Sequence, residues 1–123
     1  MTKILLAEDD PTMLGLLTTL LKLEGFSTVN LSVQEKILEV IDKEKPDVIL
    51  LDVHLHQSNG IDMVKEIRAN NSLKNVLIIM QSGMNLMDEC IKIGANDFLL
   101  KPYLPSSLID SIRKGLSKTQ LVQ

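Results

Sequence analysis

Lys3-Ile4-Leu5-Leu6-Ala7 runs straight into Glu8-Asp9-Asp10-Pro11, and the reading of this stretch decides the fold. The apolar run that Lys3 opens is short and lacks a helical period, so it reads as a buried strand. Asp10 followed by Pro11 reads as a helix N-cap and first helical residue. A strand that ends in carboxylates and turns at once into a helix is the first half of a βαβ unit. Asp47–Leu51 runs likewise into Asp52, and Asp97–Leu100 into Lys101 and Pro102. Val76–Met80 stops just before Ser82 and Gly83. If these runs are parallel strands of one sheet, their carboxyl ends lie side by side, where open α/β sheets place their ligands.

The intervening segments carry helical patterns. The first helix is expected to run to about Glu24 and stop at Gly25, a good residue beyond a helix end. Ser27–Leu31 is a more polar strand, suited to a sheet edge. Val33–Lys45 is expected to be a helix with Ile37, Leu38 and Ile41 inward, ended by Pro46. Asp52–Asn59 reads as a loop, and Gly60–Asn70 as a helix with Ile61, Val64 and Ile67 on one face. Leu86–Ile93 follows as a short helix with Gly94 beyond it. Pro105 opens a last helix striped by Leu108, Ile109, Ile112 and Leu116. Five β-α units need cover on both sheet faces, which gives a three-layer α/β sandwich with right-handed connections. Periodicity does not set the strand order. On the first helix Met13, Leu17, Leu20 and Leu21 face the sheet, while Leu14, Leu16 and Leu23 widen the apolar arc to about 160°. That widening reads either as a partner patch or as burial against the chain's own loops.

At 123 residues the chain fits one domain, and its 45% hydrophobic content is that of a globular protein. No run approaches the ~18 apolar residues of a membrane span. Met1-Thr2-Lys3 leads directly into a strand, so no signal peptide is read. Cys90 is the single cysteine, which excludes an internal disulfide and suits a reducing cytoplasm. The net charge of −3, with 2% aromatic residues and no basic stripe, argues against direct nucleic-acid binding.

The chemistry follows from what shares the sheet rim. Neighbouring carboxylates raise one another's pKa unless a cation lies between them, so Glu8, Asp9 and Asp52 together predict a hard divalent ion. Mg²⁺ suits an all-oxygen donor set, whereas zinc would call for histidine or cysteine ligands. Lys101 adds a fixed positive charge, Ser82 a hydroxyl donor, and Gly83 room for backbone approach. Asp52 is then a candidate nucleophile toward phosphorus, with the ion and Lys101 neutralising the transferring group. A unit charge ~4 Å away at an effective dielectric of ~20 is worth roughly 4 kcal/mol of gross Coulomb energy.

LLAEDDP (5–11), ILLDVHL (49–55), Asn59-Gly60, IIMQSG (78–83) and GANDFLLKPY (94–103) resemble, in order and spacing, the receiver domains of two-component response regulators. The resemblance runs from Thr2 to about Lys118, so a receiver domain over residues 1–118 is expected, with 119–123 as a polar tail or the start of a linker. It implies a flavodoxin-like (βα)5 fold, strand order 2-1-3-4-5, and phosphorylation of Asp52 by the phosphohistidine of a sensor histidine kinase or phosphotransfer protein. It further implies Asp9 as a direct metal ligand, Glu8 as a ligand through water, and the His54 backbone carbonyl as another. Ser82 and Lys101 would grip the phosphoryl group, and the Lys101–Pro102 peptide would be cis. Ser82 and Phe98 would form the switch, communicating with an output domain or downstream protein from a monomer or a phosphorylation-dependent dimer. The chain departs from the family pattern in having Phe98 where tyrosine is common and His56 where proline is usual. Asp97 and Arg113 fit the family's dimer charges, but Ser106-Ser107 stand where acidic residues are common.

Plainer readings stand beside these. Asp10 is a helix cap, His54 and His56 are loop residues, Met80, Met84 and Met87 fill gaps near a moving loop, and Cys90 is inert. A Mg²⁺-dependent phosphohydrolase acting through an aspartyl-phosphate is the main rival, yet it usually needs an aspartate two residues beyond the nucleophile, where His54 stands. A phosphate-cradling binding module would place glycine or hydroxyl residues after the first strand, where Glu8-Asp9-Asp10 would repel phosphate. A receiver that has lost phosphorylation would not keep Glu8, Asp9, Asp52, Ser82 and Lys101 together.

Overall fold

The computed structural model describes residues 1–32, 35–55 and 58–121, the last three as backbone only. Strands β1 (Lys3–Ala7), β2 (Ser27–Asn30), β3 (Val48–Asp52), β4 (Leu77–Ser82) and β5 (Asp97–Leu100) form one parallel sheet in the order β2-β1-β3-β4-β5. Helices α1 (Pro11–Leu23), α2 (Ile37–Glu44), α3 (Gly60–Arg68), α4 (Met87–Lys92) and α5 (Pro105–Leu121) connect and cover the strands. The order is that expected for a flavodoxin-like fold.

Side-chain alternation along the strands splits the core in two. Leu5, Ala7, Ile49, Leu51, Ile78 and Met80 pack with α2, α3 and α4. Ile4, Leu6, Val48, Leu50, Leu77 and Ile79 pack with α1 and α5. The central strands are therefore apolar on both faces, as a fully covered parallel sheet requires. β2 is only partly buried and lies at the edge. Asp10 caps α1, its Oδ1 accepting from the Thr12 amide at 2.9 Å, and Gly25 takes φ +91° beyond the helix end. On α1, Leu17 and Leu21 are buried and Leu14 packs against the core, but Leu16 and Leu23 are 65% and 81% exposed. The wider apolar arc is thus left open at those two positions.

Several boundaries differ from expectation. α2 begins at Ile37, not Val33, because the Glu35 carboxylate accepts from the Ser32 amide and the Glu35 amide bonds the Ser32 carbonyl, closing a local turn. Val33 itself, and His56 with the loop reading attached to it, lie outside the described residues. The segment after Asp52 holds a short antiparallel ladder pairing His54 with Asn59 and Leu55 with Ser58. β4 continues through Ser82, so that residue ends the strand instead of following it. α3 stops at Arg68, and a 3₁₀ turn, Asn71–Leu73, comes after it.

Arg68 closes the far end of the sheet. Its Nε donates to the Gly94 carbonyl (2.9 Å), Nη1 to the Leu73 carbonyl (2.9 Å) and Nη2 to Asn96 Oδ1 (2.8 Å). Among the described residues no buried side-chain polar atom lacks a hydrogen-bond partner, and no helix is long and apolar enough to cross a membrane.

Gly60 brings α3 against the end of β3. Its amide donates to the Val53 carbonyl at 2.7 Å, and a Cβ there would lie 2.4 Å from the Asp52 carbonyl oxygen and 2.9 Å from Val53 Cα. Because these neighbours are backbone, Gly60→Ala is expected to cost about 2 kcal/mol or more, the upper range for overpacking. Urea denaturation checks this; an unchanged midpoint would show that the contact yields freely.

Candidate functional site

The sheet register builds the site. On the α1/α5 face, Leu6 aligns with Leu50 and Leu50 with Ile79, forming an apolar row. Two residues further along, Asp52 aligns with Gln81, and Glu8 continues the Ile4, Leu6 alternation. Leucine and isoleucine give way to a carboxylate, a carboxylate and an amide, exposed by only 4%, 5% and 0%. This row marks the carboxyl edge of the sheet.

Its groups are fully engaged. Glu8 Oε2 accepts from Lys101 Nζ at 3.0 Å and from Gln81 Nε2 at 2.8 Å, while Oε1 accepts from the Asp10 amide at 3.1 Å. Lys101 Nζ also donates to Asp52 Oδ2 at 2.5 Å, and the His54 amide donates to Asp52 Oδ1 at 3.0 Å. Tyr103 Oη donates to Gln81 Oε1 at 2.5 Å. The chain of contacts runs from Tyr103 through Gln81, Glu8 and Lys101 to Asp52. Burial pulls the Lys101 ammonium pKa down, but hydrogen bonds to Asp52 and Glu8 outweigh it and leave it raised. Burial also pushes the Tyr103 phenol up, as do the charges of Glu8 and Asp52.

Glu8, half-buried Asp9 and Asp52 each offer a carboxylate oxygen, all within 4.8 Å of one another. An all-oxygen set of three acidic groups fits a hard dication such as Mg²⁺. An open crevice of about 820 Å³ lies over Glu8 and Asp9, walled by Leu14, Leu31, Leu55 and Met63.

Ser82 and Phe98 occupy the other face, in line with Ile78 and Met80. Ser82 is buried and its Oγ accepts from the Met84 amide at 3.1 Å. Phe98 is 4% exposed in the cluster that holds Met80 and Cys90. The Lys101–Pro102 peptide is cis, and the Lys101 amide bonds the Ser82 carbonyl at 2.8 Å. The His54 side chain is exposed at the rim, and Asp10 is spent on the α1 cap. Asp97 accepts from Ser111, and Arg113 pairs with Glu24 at 2.9 Å, so both are engaged within the chain.

Sequence reasoning overlooked Gln81 and Tyr103. A signal was present: Leu77, Ile79 and Gln81 share one side of β4, and a polar residue in that inward series is out of pattern.

The sequence model of the family described as the response regulator receiver domain matches residues 4–113. The DNA-binding response regulator MtrA of Mycolicibacterium smegmatis is 30% identical over 118 residues, covering 96% of this chain and 52% of that protein. The chain thus spans about half the length of the curated relatives it matches. Among solved structures, the BeF3-activated N-terminal receiver domain of Klebsiella pneumoniae RstA superposes with a TM-score of 0.84 at 27% identity, covering 94% of this chain and 98% of that one. A receiver domain of a Pseudomonas aeruginosa sensor histidine kinase, with a magnesium ion coordinated in its active-site cleft, gives 0.84 at 25% identity, with the same coverage of 94% and 98%.

Lys101→Met is expected to destabilise the protein by about 2 kcal/mol at neutral pH, between the surface and fully buried limits for an ion pair. Because the folded-state pKa of Lys101 is raised, its contribution is fully present below pH about 10 and fades as pH rises through the folded value. Denaturation of wild type and variant from pH 7 to 11.5 should show two stabilities that converge only at the alkaline end. A gap that stays constant throughout would show that the ammonium charge is not its source.

Proposed function

The chain belongs to the response regulator receiver domain family, and on that premise we propose that it is a phosphorylation-dependent signalling switch. In this reading Asp52 accepts a phosphoryl group from a phosphohistidine of a sensor histidine kinase or phosphotransfer protein. The observation that carries it is the Lys101 ammonium lying against both Asp52 and Glu8 at the carboxyl edge of the sheet.

A carboxylate oxygen of Asp52 attacks phosphorus, and the bond to the donor's imidazole nitrogen breaks with its electron pair on nitrogen. The His54 amide orients one Asp52 oxygen and Lys101 the other. Glu8, Asp9 and Asp52, with the His54 backbone carbonyl, would hold a magnesium ion, which when bound neutralises charge on the transferring oxygens. The magnesium-bearing cleft of the Pseudomonas aeruginosa relative supports that assignment. Lys101 then turns its ammonium to the phosphoryl group. Ser82 turns its hydroxyl there too, releasing the Met84 amide it now holds. Release lets the loop 83–86 shift over Phe98, a local charge biasing a bistable element.

The receiver domain in this proposal spans residues 1–118, lies in the cytoplasm, and reports to an output domain or a downstream protein. It turns over no external substrate. His54, two residues beyond Asp52 and with its side chain exposed, leaves the phosphohydrolase reading without its acid/base carboxyl. The exposed Leu16 and Leu23 give the donor protein an apolar strip to rest on.

Incubation with acetyl phosphate and Mg²⁺ should add one phosphoryl mass to the protein, none to Asp52→Asn, and none when EDTA is present. A label that persists in Asp52→Asn would refute the assignment. Leu16→Lys should slow transfer from a phosphorylated kinase by about tenfold or more. Its labelling by acetyl phosphate and its thermal midpoint should both stay at wild-type values; equal losses in all three would show that Leu16 only packs.

A further inference from the structure

Gln81 is fully buried in a place where the two preceding residues of the same side, Leu77 and Ile79, are apolar. An amide costs free energy there unless both its ends are bonded. Both are: Nε2 donates to Glu8 Oε2 at 2.8 Å, and Oε1 accepts from Tyr103 Oη. Tyr103 is itself half-buried beside α5, on the opposite face of the sheet from Ser82 and Phe98. The network of Tyr103, Gln81 and Glu8 lies on one face and ends on a carboxylate of the acidic cluster, an arrangement that apolar packing alone would not need.

We infer that Gln81 and Tyr103 are positioning residues that hold the Glu8 carboxylate in the orientation in which it serves the divalent-cation site. The inference rests on the receiver reading. It adds that Glu8 keeps a fixed partner while Lys101 changes partners. Lys101 Nζ serves Glu8 and Asp52 together, so when it turns to a phosphoryl group on Asp52, Glu8 loses its cationic donor. The Gln81 amide remains, on the same oxygen. The acceptor-only Glu8 carboxylate sets which end of that amide faces it. Tyr103 anchors the other end, its hydroxyl donating to Oε1, and without it the buried amide oxygen loses its partner and the side chain its fixed placement against Glu8. Burial and the nearby carboxylates push the phenol's ionisation upward, which keeps it a donor.

Tyr103 is the only tyrosine and the chain has no tryptophan, so intrinsic emission reports on this one hydroxyl without a label. Isothermal calorimetry of Mg²⁺ binding, run beside tyrosine emission, tests the pair. In wild type, emission should change over the same Mg²⁺ range as the heat signal. Gln81→Leu should lose the emission change and bind Mg²⁺ about tenfold more weakly, the scale of one hydrogen bond to a charged group. Tyr103→Phe removes one oxygen atom and is read by calorimetry alone; it should weaken binding about threefold or more. A dissociation constant within twofold of wild type in both variants would overturn the inference and leave the receiver reading intact. Should Gln81→Leu fail to fold, Tyr103→Phe decides alone. Absence of Mg²⁺ binding by wild type would instead overturn the receiver reading, and this inference with it.

Discussion

One ammonium group lets the acidic edge exist. Glu8 and Asp52 are almost wholly withdrawn from water, Asp9 is half withdrawn, and their oxygens crowd within 4.8 Å. Like charges so placed repel one another. Lys101 answers this by standing between Glu8 and Asp52, at the carboxyl ends of the strands β1 and β3 that the sheet already pairs. Its gross attraction for either is several kcal/mol by the Coulomb estimate at an effective dielectric of ~20. Its side chain is 26% exposed, so water screens part of that sum. A cation held firmly enough to fold the edge, yet reachable from solvent, can also be redirected.

Strand geometry then divides labour between the two faces. The alternation that sends Ile79 and Gln81 toward α1 and α5 sends Met80 and Ser82 toward α2, α3 and α4. Glu8, Gln81 and Tyr103 lie on the first side, Ser82 and Phe98 on the second. Asp52 and Lys101 stand at the edge where the two meet. Ser82 holds the amide of Met84 in the loop that follows, whereas Gln81 is bonded at both ends. In the proposed switch the first of these bonds is the one released, and the second pair stays.

Much of this was legible in the residues because it is local. β1 and β5 end where their apolar runs end, Asp10-Pro11 caps α1, and Gly25 and Gly94 take positive φ beyond helix ends. The three carboxylates, Ser82 and Lys101 all stand at strand ends, so parallel pairing alone gathers them. What was not legible depends on partners distant in sequence or on rival local bonds. The α2 start is displaced by a Ser32–Glu35 turn that an apolar period cannot reveal. The ladder after Asp52 forms because Gly60 returns to the Val53 carbonyl. β4 reaches Ser82 only because β5 supplies the pairing Ser82 with Leu100. Gln81 acquires meaning from Glu8 and Tyr103, which lie 73 and 22 residues away.

The Arg68 clamp bears on how a disturbance could spread. Its guanidinium ties the end of α3 to the Gly94 carbonyl and to Asn96, whose Oδ1 also takes the Ile78 amide. The base of α4 is therefore pinned to the sheet, while its other end begins next to the loop that Ser82 holds through Met84. A rod fastened at one end swings instead of sliding. Motion starting at Ser82 would become a tilt of α4 about Gly94, widest where Met84 and Met87 meet solvent and smallest beside the hinge.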